Sequence, residues 1–269
     1  MQTGEYDIAY RVPYDDYEKV NNDPDLDVYT EAYGEIMFMY NTSEGLASDF
    51  KMREAINAAI NVDDVMKASI VNEDLYWLSP GYMHKEIKAW ASDAGEEYYN
   101  QNDPEKAKQI LDEIGYDGEE FIILTSPDID YQHNAVIVIQ EQLNQIGMNV
   151  KLEAVDWPTF LDRMDNNLGP WDALGIASSI VSTPSQLISI SPDDGGGVNN
   201  DHILDMVDEI ETAADRDEAK QLWDELQLYA WEEHLPVTML GGYNVLFGTT
   251  DEIEGFSTFS GPIFWNTSK

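Results

Sequence analysis

The sequence has 269 residues, 43% of them apolar, and 14 basic against 53 acidic side chains give a net charge of −39. That length and content allow a sizeable core in one domain or two, and exclude disorder for the bulk of the chain. Nucleic acid is excluded as a partner, because phosphate contacts need clustered Lys and Arg, and the lack of cysteine removes disulfides, thiolate catalysis and Cys-ligated zinc.

Met1-Gln2-Thr3-Gly4-Glu5-Tyr6-Asp7 runs at once into a strand-like stretch over residues 8–12, with no basic-then-apolar leader, which reads as a cut made inside a longer protein. Residues 13–22 predict a short acidic helix, and residues 27–40 two extended stretches separated near Gly34. Ile36-Met37-Phe38-Met39-Tyr40 is apolar on both faces, as a central strand would be. Met52, Ala55, Ile56, Ala59 and Ile60 fall at helical spacing, and Asn61-Val62-Asp63-Asp64 restarts a second helix to about Ile70, the two expected to pack as a pair. Residues 71–102 form a long loop carrying Trp77, Tyr82, Trp90, Tyr98 and Tyr99. Function and simple anchoring of the loop explain those aromatics equally well.

Asp103-Pro104-Glu105 opens a helix with an acidic N-cap and proline at its first position, and Gly115 closes it. A βαβ unit follows, with a strand at 120–125, a helix at 133–146 closed by Gly147, and a strand at 148–155. A helix at 158–166 and a strand at 171–177 continue the alternation, which implies a mixed or parallel sheet flanked by helices. Residues 178–200 read as a linker, most flexible at Asp193-Asp194-Gly195-Gly196-Gly197; the spacing and distal Glu of a calcium loop are missing. Helices at 203–214 and 217–233 precede two apolar strands at 236–240 and 243–247. No apolar run approaches the roughly 20 residues of a membrane helix.

Chemistry is sparse. The four histidines, His84, His133, His202 and His234, are widely separated and read as surface or helix-end residues. There is no Gly-x-Ser-x-Gly elbow, His-Glu-x-x-His, phosphate-binding loop or dinucleotide fingerprint. Carboxylate pairs are available everywhere in a chain this acidic, so they discriminate nothing. The acidity itself reads as a solvated surface suited to high salt, with a funnel for cationic solutes as the sharper alternative. What remains is a binding module with aromatic loops, no enzyme, no cofactor and no metal.

The order of segments resembles the family 5 solute-binding proteins of peptide, nickel and oligosaccharide ABC importers. The likeness is carried by Gly4-Glu5-Tyr6-Asp7-Ile8-Ala9, the strand ending at Asn41, Arg53-Glu54-Ala55-Ile56-Asn57-Ala58-Ala59-Ile60-Asn61, and most specifically Asp103-Pro104-Glu105-Lys106-Ala107-Lys108 with Gly115-Tyr116. It continues through Gly147-Met148-Asn149-Val150, Asp156-Trp157, His234-Leu235-Pro236-Val237 and Glu254-Gly255-Phe256. The resemblance implies an α/β periplasmic-binding-protein type II lobe with its N-terminal lobe largely absent. Residues 1–43 would be a first-lobe remnant and hinge crossing, 44–235 the C-terminal solute-binding lobe, and 236–269 return strands and a first-lobe segment.

It further implies an extracellular or periplasmic protein, lipid-anchored and peripheral to the membrane when complete, that hands a small solute (oligopeptide, oligosaccharide or metal chelate) to an ABC permease. Peptide-binding members follow a Gly-Trp strand end with an Asp that holds the peptide amine. Here those positions are Ile176 and about Ser179, so the charge-assisted bond is missing. The expected ligand contacts are therefore Ser178, Ser179 and Ser182, with Ile176 at the Trp position and Trp77 as an aromatic wall or a packing anchor of its loop. A carbohydrate-active protein with aromatic platforms and a protein-interaction module are the competing readings.

Overall fold

The computed structural model describes residues 5–191, 200–259 and 261–269. In chain order the N-terminal elements are β1 (Ile8–Tyr10), α1 (Tyr17–Asn21), β2 (Leu26–Tyr40), α2 (Phe50–Ala59), α3 (Val62–Ile70) and β3 (Tyr76–Trp77). The middle holds α4 (Pro104–Ile114), β4 (Glu120–Thr125), α5 (Asp130–Gln145), β5 (Asn149–Ala154), α6 (Trp157–Asp165) and β6 (Ala173–Ser179). The chain ends with α7 (Asp201–Thr212), α8 (Arg216–Tyr229), β7 (Val237–Thr250) and the small hairpin β8 (Ser257–Thr258) and β9 (Pro262–Ile263).

The main sheet runs β1-β7-β2-β6-β4-β5, with β3 also on β7. Its β4, β5 and β6 are parallel, as βαβ crossovers require, while β2 and β7 are antiparallel to their neighbours. The mixed sheet flanked by helices is thus the expected α/β architecture.

Local chemistry explains the helix ends. Asp103 accepts from the Lys106 amide, Pro104 starts α4, and Gly115 ends it at φ 73°. Asp49 caps α2 and Asn61 caps α3 in the same manner. The α2–α3 pair expected from the sequence does not form; α2 packs on α4 and α3 on α5. The side chain of Gln142 exchanges hydrogen bonds with both backbone groups of Asn61, which fixes α3 to α5.

Two further expectations are corrected. The stretches on either side of Gly34 are one strand, β2, and the stretches on either side of Gly241 and Gly242 are one strand, β7. The glycines mark register shifts between Ala32 and Gly34 and between Ile36 and Met37, not chain breaks. An added Cβ at Gly34 would fall 1.7 Å from the Ser178 carbonyl oxygen, so glycine is what lets β2 and β6 approach there.

The long aromatic loop is tied down. Trp223 Nε1 of α8 donates to the Trp90 carbonyl, Gln227 Nε2 to those of Ser92 and Ala94, and Trp231 Nε1 to that of Pro80. His84, carried by this loop, is 3% exposed, and His234 is also buried at the end of a π-turn after α8. His84 therefore corrects the expectation of a surface or helix-end histidine. Arg53 is buried too and donates to the His234, Leu235, Ala47 and Ser48 carbonyls, holding Leu235 in its left-handed conformation (φ 48°). The glycine-rich stretch 193–197 lies outside the described residues.

Candidate functional site

Parallel strands collect their carboxyl ends at one edge, where backbone groups and helix starts face outward, and ligands bind at such edges. Here that edge is formed by the ends of β4, β5 and β6. After β4, the Ile129 amide donates to the Ser126 carbonyl, and Asp128 Oδ2 accepts from the Trp157 amide at 2.8 Å, binding the loop to the start of α6. Asp156 caps α6 through the Thr159 amide and hydroxyl, and the indole of Trp157 stacks on Phe160.

Beside this edge lies a pocket of about 290 Å³ lined by Arg11, Tyr33, Ile129, Tyr131, Gln132, Trp157, Ala177, Ser179 and Tyr243. A neighbouring pocket of about 280 Å³ shares Arg11, Ile129 and Tyr131 and extends along Tyr14, Asn134 and Leu246. The Tyr33 and Tyr131 rings flank Tyr243 at 5.8 and 5.3 Å, and the Tyr131 and Tyr243 hydroxyls are 3.3 Å apart. The Arg11 guanidinium sits 4.6 Å from the centre of the Tyr33 ring, a cation–π contact. Burial pushes the Tyr14 and Tyr243 phenols well above their ordinary value, so they act as neutral hydrogen-bonding groups. Apolar rings, a few polar groups and one cation suit binding of a small amphipathic molecule.

The residues expected from the sequence divide between the two faces of the sheet. Ser179 is exposed, pairs with Gly34, and lines the tyrosine pocket. Ser178 pairs with Glu35, which pairs with Gly242, which pairs with Trp77, so Trp77 and Ser178 lie in one row on the other face. Both serines belong to β6 and not to a linker. Ser182 is exposed in the following loop, where its amide and that of Thr183 donate to Gln186 Oε1. Ile176 is 5% exposed and opposes Met37 within the sheet.

Sequence reasoning missed Glu35, Tyr131 and Tyr243. Tyr131 and Tyr243, distant in sequence, become neighbours only through the fold, although the polar residue just ahead of an apolar strand was a visible signal for Glu35. Among the described residues no group of three or more His, Asp or Glu could hold a metal, and no helix is long and apolar enough to cross a membrane.

Comparison with known proteins bears on the family and the fold. The chain is 28% identical over its whole length to the probable peptide ABC transporter periplasmic-binding protein y4tO of Sinorhizobium fredii, covering 53% of that protein. It is 26% identical, over 69% of its own length and 36% of the relative's, to the oligopeptide-binding protein AppA of Bacillus subtilis. The chain thus spans about half the length, or less, of these curated relatives. The fold matches a dipeptide-binding protein of a Pseudoalteromonas species in complex with Met-Leu, with a TM-score of 0.86 and 20% identity, over 100% of this chain and 55% of that one. Residues 1–197 match the family model described as bacterial extracellular solute-binding proteins, family 5 Middle, and the chain belongs to that family.

Proposed function

We propose that the protein captures a peptide-like solute outside the cytoplasm and delivers it to an ABC permease, binding without chemical turnover. The observation that carries this reading is the tyrosine-lined pocket at the carboxyl ends of the parallel strands, next to the register shifts of β2 and β7. Two long strands that bend at one level are suited to hinge motion, so solute and closure would be coupled at one place. The names of the relatives supply the peptide, and the Ser179 hydroxyl and neutral phenols supply hydrogen bonds for its backbone. Arg11 would meet a carboxylate.

The proposed organisation follows the same line: residues 44–235 form the solute-binding lobe, and 1–43 with 236–269 carry the hinge crossing and part of a first lobe. Support comes from the helices α2 to α8, which all fall in the middle segment. The outer segments carry a chain of rings, Tyr10–Phe247–Phe256–Phe264, with Tyr10, Phe264 and Trp265 exposed as a packing surface for a further lobe would be. Lipid anchoring and adaptation of the acidic surface to high salt complete the proposal.

The test is a thermal-shift screen of the whole protein at high salt against short peptides, oligosaccharides, polyamines and nickel chelates, because a ligand of the folded state raises the melting temperature. Selective stabilisation by peptides supports the reading. A cooperative melt that none of these moves, or turnover of a glycoside, overturns it.

A further inference from the structure

On the face of the sheet opposite the tyrosine pocket, Glu35 is 2% exposed and neither carboxylate oxygen has a hydrogen-bond partner. Stripping a carboxylate of water without compensation is costly, and a fold keeps such a group where something else repays the cost. Its row neighbours are Ser178 on one side and Gly242, then Trp77, on the other. A Cβ at Gly242 would lie 2.1 Å from Trp77 Cζ2, so the indole occupies the space this glycine leaves and reaches across β7 toward Glu35. The indole Nε1 is itself buried and unpartnered.

The Trp77 ring holds a cation. Lys85 Nζ lies 3.8 Å from its centroid, and the charge of Lys85 also reaches Glu35. His84 meets the same ring edge-on at 5.1 Å, and burial lowers its pKa to about 4, so it brings no competing charge at neutral pH. Tyr99, whose hydroxyl donates to the Leu240 carbonyl, completes the ionisable groups around Glu35. An aromatic face above a desolvated carboxyl is the environment that holds alkylammonium ions. Lys85, an exposed residue with no ion pair among the described residues, presents one there from the protein's own chain.

We infer that Glu35 and Trp77 form a subsite for a primary alkylammonium ion, separate from the tyrosine pocket on the other face, and that Lys85 fills it as an internal surrogate until a free alkylammonium ion displaces it. The subsite goes beyond the solute-binding reading, because it stands on Glu35, Trp77 and Lys85 alone. On displacement the Lys85 ammonium moves into solvent, and any proton held by Glu35 passes to the buffer as the carboxylate pairs with the incoming cation.

The probe is n-butylammonium, which copies the Lys85 side chain, with n-butanol as the neutral control and sodium chloride at equal ionic strength, added to the whole protein. In Lys85→Ala, n-butylammonium raises the melting temperature and n-butanol does not, with affinity at least about tenfold above that of the unaltered protein, which corresponds to about 1.4 kcal/mol. Adding Glu35→Gln to that background removes the advantage. Lys85→Met, which keeps the stem over the indole, serves if the alanine variant is unstable. Equal effects of amine and alcohol, no effect of either, or an unchanged response in Lys85→Ala/Glu35→Gln overturn the subsite. None of these results touches the importer reading, which the peptide screen tests separately.

Discussion

Along β2, residues 26–33 are mostly half-buried or exposed, whereas residues 34–40 include the fully buried run Ile36-Met37-Phe38-Met39-Tyr40. The same strand pairs with β7 along nearly its whole length, so that edge does not distinguish the two halves. What differs is the neighbour on the other edge and on the faces. The later half has β6 beside it, whereas the earlier half meets the rings of Phe247 and Phe256, the latter 4.8 Å from Tyr29. Burial and a second strand partner therefore begin together, and the boundary falls at Gly34 beside the proposed site.

Truncating one aromatic in each half should show the largest contrast. Phe38→Ala is expected to lower stability by about 3 to 5 kcal/mol, the cost of deleting a fully buried ring, and Tyr29→Ala by roughly 1 kcal/mol. Denaturant titration measures both, and equal losses would break the comparison. At the boundary, Gly34→Ala should cost about 1 to 3 kcal/mol by forcing β2 away from the Ser178 carbonyl, with faster hydrogen exchange confined to residues near 34 and 178.

Three buried groups give pH tests, the two histidines of one sign and Glu35 of the other. His84 and His234 each have a pKa lowered to about 4 by burial, from an ordinary 6.5. The unfolded chain therefore takes up their protons first as the pH falls, and stability present above pH 6.5 is lost progressively between about 6.5 and 4. The loss is on the order of 2 kcal/mol for each histidine, and His84→Gln with His234→Gln should flatten that limb of the pH profile. Burial raises the pKa of Glu35 instead. Its contribution is complete below the ordinary carboxylate value of 4.5 and falls as the pH rises through the raised value. Glu35→Gln is accordingly expected to gain about 1 kcal/mol at pH 8 and nothing at pH 4. A thermal melt of the variant that is less stable at pH 8 would contradict the assignment of an uncompensated carboxyl.

The sequence is most legible where structure is local. Asp103, Pro104 and Gly115 delimit α4 within one helix turn at each end, and the apolar run 36–40 declares a central strand without reference to anything distant. It is least legible where one residue answers to another far along the chain. Gly34 and Gly242 look like breaks because glycine commonly ends strands. Here they sit inside strands, one for the approach of Ser178 and the other for the indole of Trp77. The burial of His84 depends on α8, more than a hundred residues later, anchoring its loop. The division of Ser178 and Ser179 between opposite faces required the register of β6 on β2.

The most direct test of the site is amide hydrogen exchange of the whole protein with and without the best-stabilising peptide. Binding at the carboxyl edge predicts added protection concentrated at residues 33–35, 128–132 and 177–182, lost in Tyr243→Ala. Protection elsewhere, or protection at these segments that Tyr243→Ala leaves unchanged, would contradict it.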